Sequence, residues 1–346
     1  MIDPHVHLRD WEQSEKETIE HGITLAFDAG FSAFFDMPNT KPTLTNSDSL
    51  ARRLEFGQKI ARQIDSSIFY GVYAGITADK KQIEDIVDFH SKHFPNCVGF
   101  KMFAGHSTGN MGITSDEAQR QVYRKLAELD YTGVVAVHCE KEELLCHEAW
   151  NPAVPESHSI ARPEIAEVKS IEDQIEFSRS CGFKGHLHIC HISTKEGIDL
   201  VVQAKQSGLK ISCGATAHHA LLDTSAYSRF GIFAKMNPPL RNPKNKEAVF
   251  LSLINGKIDL VESDHAPHTA EDKKNGASGV PGFAGSLMLL QKLRSEGCSE
   301  ARLKELFGKA VNRIWNMNLT VRLPSNEKIA ECLPKLKAGY PYNVFE

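Results

Sequence analysis

Several absences narrow the reading of this 346-residue chain before any residue is singled out. No apolar run approaches the roughly 18 residues of a membrane-spanning helix. Its eight cysteines include no CxxC pair, and no segment reads as a signal peptide. They are therefore expected as reduced, mostly buried thiols, with the cytoplasm as the default compartment. The formal net charge is only −4, which argues against a nucleic-acid or anionic-membrane surface. No sequence repeat is present, and no Gly-rich GxGxxG turn follows the first strand candidate. That last absence counts against an open, doubly wound dinucleotide-binding sheet.

What remains is ample for a large core: 41% hydrophobic and 24% charged residues. Eight β-branched or apolar runs read as strands, at 2–8, 32–38, 66–76, 97–104, 133–140, 186–193, 210–216 and 257–264. Helix-period segments at 46–64, 80–94, 115–129, 163–180 and 195–208 lie between them, the first with a cap at Asn46 or Ser47 and the last ending at Gly208. Alternation of this kind implies a parallel sheet. At this length the expected fold is a (β/α)₈ TIM-like barrel over 1–319. Segments 103–115, 150–163 and 265–285 read as long loops on the active face. Residues 320–346 fit no barrel unit and are expected as a tail packed on the body.

Polar residues gather at strand ends, where such barrels place their chemistry. His5 and His7 share one face of strand 1 in "DPHVHLRD", and Arg9 follows two residues later. Asn39 ends strand 2. Lys101 interrupts the apolar run "VGFKMFAG" of strand 4. Strand 5 ends at His138, strand 6 carries His188 and His191, and strand 8 runs into Asp264, His265 and His268. Each has an ordinary explanation alone: a satisfied polar histidine, a lysine snorkelling to solvent, an aspartate capping a helix. Together they make five coincidences on one rim, which favours a metal site. Imidazole and carboxylate donors suit Zn²⁺ or a similar first-row ion. Four histidines and one aspartate exceed a single open site. Two ions would use them all but need a bridging anion. A buried, neutral lysine amine can react with CO₂ to give a carbamate that bridges.

The motifs "DPHVHLRD", "DMPNTKP", "VGFKMFAG", "VHCE", "HICHIST", "MNPPLR" and "SDHAPH" resemble those of dihydroorotases, in the same order. Those enzymes belong to the metal-dependent amidohydrolase superfamily. The resemblance covers residues 2 to about 290. It implies a binuclear zinc site: His5, His7 and Asp264 on one ion, His138 and His191 on the other, carboxylated Lys101 between them. It also implies interconversion of N-carbamoyl-L-aspartate and (S)-dihydroorotate, a step of pyrimidine (UMP) synthesis, through a metal-bridging hydroxide with Asp264 as proton shuttle. Arg9 would hold the substrate carboxylate bidentately, with Asn39 and His268 at the same end. Asn237 and the backbone near Ser278 and Gly279 would contact the ring. The ordinary alternatives are a surface salt bridge from Arg9 to Asp10 or Glu12, and a turn role for Asn237 before Pro238. His188 is expected to pack or to support a ligand, and His218 and His219 to be structural. The loop 105–113 has glycine hinges suited to closing over substrate. Many members of the superfamily carry a β-sandwich around the barrel; here it is expected to be absent or reduced to the tail. Two other readings stand beside this one. A hydantoinase or allantoinase would not need Arg9 and Asn39 set for a carboxylate. A silent scaffold subunit for aspartate transcarbamoylase would have lost metal ligands that this chain keeps. The partners implied are the small-molecule substrate and either a second copy or aspartate transcarbamoylase.

Overall fold

The fold is given by a computed structural model, which describes residues 1–107 and 111–345. Eight parallel strands follow chain order: β1 Ile2–Val6, β2 Ala33–Asp36, β3 Phe69–Gly75, β4 Cys97–Phe103, β5 Val134–His138, β6 His186–Ile189, β7 Ile211–Ala215 and β8 Leu260–Val261. The ring closes through a parallel bridge between Val6 and His265, where His7 N donates to His265 O at 2.7 Å. The chain is a (β/α)₈ barrel, as expected. Strand β8 has only two residues because its pairing passes at once to that bridge and to one between His265 and Val280.

The five predicted helices form, the first as Ser47–Ile64 with the Asn46 side chain accepting from Ser49 N at 2.9 Å. The structure adds Ile19–Asp28, Pro243–Asn255 and Phe283–Ser295. Part of the expected tail is helical. Asn326–Ala338 is a helix, capped by Ser325 and burying Ile329, Cys332 and Leu336 at a helical period. Beyond it the chain is extended, with Tyr340, Tyr342, Val344 and Phe345 buried. Among the described residues, no helix is long and apolar enough to cross a membrane. The eight cysteines are unpaired, and five of them are buried.

One apolar cluster fills the space between strands and helices. A second, smaller one fills the barrel with Ala33, Phe35, Tyr73, Ala136 and Leu260, floored by Val311 and Trp315. This floor seals the N-terminal end and leaves the polar residues at the other.

A buried ion pair fixes the end of β1, from which the candidate site residues emerge. Arg53, on the helix Ser47–Ile64, donates to Asp36 Oδ2 from Nε at 3.0 Å and from a terminal nitrogen at 2.8 Å. The same guanidinium donates to Arg9 O at 2.7 Å and to Leu8 O. Asp36 also accepts from Leu8 N at 3.0 Å and from the Tyr70 hydroxyl at 2.6 Å. Removing one partner of such a pair strands the other charge in the core. Arg53→Met is expected to cost about 3–5 kcal/mol in urea unfolding; a loss below about 1 kcal/mol would contradict this role.

Candidate metal and substrate site

The sequence-predicted residues meet in a cleft of about 380 Å³ at the C-terminal end of the barrel. His5, His7, Arg9, Asn39, Lys101, His138, His191, Asn237, Asp264, Ser278 and Gly279 all line it, joined by Phe103, Ser107 and Ala266. His268 does not; it lies behind the wall, beside Arg9.

The first donor group comes from β1 and the end of β8. His5 Nε2 lies 3.4 Å and His7 Nε2 3.1 Å from Asp264 Oδ1. These three side chains are compact enough to hold one ion. The outer nitrogens are tied down: His7 Nδ1 to Asn39 Oδ1 at 2.7 Å, His5 Nδ1 to Glu262 Oε2 at 3.2 Å. Each of those partners is an acceptor, so each outer nitrogen carries the proton. Each inner nitrogen then faces a carboxylate oxygen, a contact satisfied by a proton on the ring or by a cation between the two groups. In the second group only the tautomer of His138 is fixed from behind. His138 Nε2 is held by Glu140 Oε2 at 2.9 Å, and its Nδ1 faces His191 Nε2 at 3.1 Å. The donor set therefore fits metal ions, and a carboxylate or amide oxygen behind three of the four rings fixes their tautomers.

The electrostatics agree. Burial, followed by the charge of Lys101, pushes His5 down to about 4. Burial also lowers His138 and His191. These imidazoles are neutral at pH 7, the form that binds metal. Burial alone would raise the Asp264 carboxyl, but the His7 hydrogen bond and the nearby imidazoles outweigh it and hold it below the usual range. Lys101 is fully buried on β4, with Cys190 Sγ at 3.1 Å and, among the described residues, no ion pair. Both His191 (φ +37°) and Asp264 (φ +46°) adopt the left-handed region just past their strands. That conformation is costly for non-glycine residues and turns both side chains inward.

Arg9 is 2% exposed and, among the described residues, makes no ion pair. Asp10, its sequence neighbour, instead accepts from Ile19 N at 2.9 Å, so the surface salt bridge does not form. Arg9 Nε donates to Pro267 O at 3.1 Å, and a terminal nitrogen lies 3.3 Å from His268 Nε2. His268 Nε2 is also 3.0 Å from Ser278 O, which makes it a spacer between Arg9 and that loop. Asn237 is more than a turn residue: Oδ1 lies 2.9 Å from His158 Nε2 and Nδ2 3.5 Å from Ser107 Oγ. Gly279 has φ +138°, and a Cβ there would come 2.6 Å from Ala266 O, so glycine is required. Its N–H already donates to Lys235 O at 3.0 Å and is committed to the loop.

Glu140, Glu262, Arg162 and Lys235 escaped the sequence reading. Arg162 clamps Glu140 and donates to His106 O at 2.7 Å. Lys235 donates to Gly276 O at 2.7 Å and Ser278 Oγ at 2.9 Å. His188 places Nδ1 on Ser212 Oγ at 2.8 Å, and His219 bridges Thr216 and Pro238 O. The suggested closing loop, 105–113, includes residues 108–110, which lie outside the described residues.

An eight-stranded parallel barrel with His5 on β1, His7 just past it and Asp264 after β8 is the arrangement of the amidohydrolase class. Among solved structures, the L-hydantoinase (dihydropyrimidinase) of Arthrobacter aurescens has the same fold, with a TM-score of 0.81 at 23% identity over 94% of this chain and 73% of that one. A D-hydantoinase from Thermus superposes at 0.79, also at 23% identity and the same coverage. Residues 1–197 match the family model described as dihydro-orotase-like. The curated dihydroorotase of Methanothermobacter thermautotrophicus is 30% identical over 331 residues, 93% of this chain and 70% of that protein. The one of Pyrococcus furiosus is 34% identical over 299 residues, 86% of this chain and 61% of that protein. The chain belongs to the dihydroorotase-like family.

Buried neutral histidines also set the acid limit of stability. Burial lowers His158 to about 3, and His90 and His218 to about 4. In the unfolded chain they return to about 6.5. Between pH 6.5 and 4 the unfolded state binds more protons, so folding stability falls as pH falls. The urea midpoint of the metal-free protein is expected to drop steadily from pH 7 to 5; a flat profile would contradict the burial of neutral rings.

Proposed function

We propose that the chain is a zinc-dependent dihydroorotase, interconverting (S)-dihydroorotate and N-carbamoyl-L-aspartate in pyrimidine synthesis. The observation that carries this reading is the buried Arg9, which has no ion-pair partner among the described residues, on the same cleft wall as the convergent imidazoles and Asp264. A buried guanidinium whose charge is not balanced by an adjoining carboxylate suits an anion, and dihydroorotate has a carboxylate that takes no part in the chemistry.

His5, His7 and Asp264 would hold one ion, and His138 and His191 the other. When bound, such ions polarise the ring carbonyl and make water nucleophilic near neutral pH. Lys101 lies among these histidines, where an ammonium would repel both cations. As a carbamate it would be an anion able to hold both. Asp264, ionised at neutral pH, accepts the proton of the attacking water and returns it to the ring nitrogen as the amide C–N bond breaks. In the synthetic direction the same carboxylate works in reverse. Asn39 keeps the His7 lone pair aimed at the site, and Asn237 and Ser278 border the ring. A reducing cytoplasm suits the unpaired cysteines.

The test is turnover and metal content together. Purified protein is expected to carry two zinc equivalents, to turn over dihydroorotate but not hydantoin or allantoin, and to lose activity on chelation. Arg9→Met should raise KM for dihydroorotate about ten- to hundredfold with metal content unchanged, the loss of a charge-assisted contact. Lys101→Ala should lose one equivalent and about 10²-fold or more in kcat, since several kcal/mol of carbonyl polarisation goes with it. An unchanged KM in the first variant, or full metal content and activity in the second, would sink the corresponding role.

A further inference from the structure

Glu262 enters the barrel two residues before Asp264, on the same face of the chain. It is fully buried and below the cleft. Its Oε2 accepts from His5 Nδ1 at 3.2 Å and lies 3.5 Å from His188 Nε2. Its Oε1 accepts the backbone N–H of His191. His5 belongs to the first donor group and His191 to the second. One carboxylate therefore holds a member of each group, and it anchors His191 at the residue whose backbone is left-handed. The barrel makes room for it at Gly214 of β7, where a Cβ would come 2.7 Å from Glu262 Cδ. His188 is steadied in turn by Ser212 Oγ, which also meets His186 Nε2 at 2.8 Å.

We infer that Glu262 is a positioning residue that sets the two halves of the metal centre relative to each other from inside the barrel. It keeps the proton of His5 on Nδ1, which leaves Nε2 free for an ion, and it fixes the strand end that carries His191. This inference rests on the two-ion reading of the site. The carboxylate accepts from His5 Nδ1 on one oxygen and from the His191 N–H on the other, so a glutamine there must turn its NH₂ toward one of them. Shape is kept and the hydrogen bonding fails.

The experiment is a Co²⁺ titration of the metal-free protein, read by visible absorption and by chelator competition. Wild type is compared with Glu262→Gln and with Gly214→Ala, which keeps the carboxylate but displaces it. Wild type is expected to take two equivalents. Both variants should bind Co²⁺ about 10–100-fold more weakly, with altered ligand-field bands, the usual cost of losing a carboxylate behind a ligating histidine. Wild-type affinity and spectrum in Glu262→Gln would overturn the inference. If that variant does not fold, the same result in Gly214→Ala would overturn it. His5, Cys190 and Glu262 are also close enough to hold an ion themselves. A third equivalent in wild type, absent from Glu262→Gln, would make Glu262 a ligand and overturn the positioning role. Fewer than two equivalents in wild type would instead remove the two-ion reading, and this inference with it.

Discussion

Convergence of buried imidazoles on one carboxylate and on each other is the constraint around which this molecule is arranged. His5 and His7 point their inner nitrogens at Asp264, and His138 points one at His191. In a low-dielectric barrel mouth that arrangement is unfavourable by itself. It persists because each ring is locked from behind: by Glu262, by Asn39 and by Glu140. The fold thus holds its candidate ligands in a conformation that becomes favourable when cations occupy it, so ion binding and site geometry are thermodynamically coupled.

The barrel supplies the rigidity this needs. Its lower half is apolar and floored by Trp315, whose ring packs against Phe35 and His188. Its upper half is polar, and its polar residues come from the ends of several strands. The Arg53–Asp36 pair grips the backbone of Leu8 and Arg9 from outside. Glu262 grips His5 from inside. β1 is therefore fixed on both sides at the point where its histidines emerge. The extended segment after the last helix adds a further tie: Tyr340 donates to Glu17 at 2.8 Å and Tyr342 to Gly279 O at 3.1 Å.

The strands were legible because each is a short apolar run with a clear boundary, and the ring order follows the chain order. The helix Asn326–Ala338 was not, because Pro334 interrupts its pattern and the preceding stretch has no strand to mark a unit. Ile19–Asp28 is short and follows a polar segment that gave no cap signal strong enough to notice, although Thr18 caps it. In the site, residues that line the cleft were legible because they sit in compact motifs at strand ends. Those acting through another residue were not. Glu140 and Glu262 did leave a signal: each lies two positions from a candidate ligand, and on a strand that spacing shares a face. His158 lies on the short helix Ser157–Ala161 and Arg162 caps its end, in a stretch expected as loop, and only folding brings them in. His218 stayed without a role in either reading; it is buried and neither ring nitrogen has a partner among the described residues.

Lys101 decides how these parts fit together. As an ammonium it is the positive neighbour that helps to keep His5, His138 and His191 unprotonated. That prepares the imidazoles for metal, yet the same charge would oppose the arrival of any cation. The two demands conflict as long as the side chain keeps its proton. Loss of the proton removes the repulsion, and addition of CO₂ reverses its sign. A fully buried lysine with no ion-pair partner among the described residues is the side chain for which that change costs least, because there is no salt bridge to break. Under the proposed function, a lysine with no ion-pair partner among the described residues would itself supply the anion that two cations need.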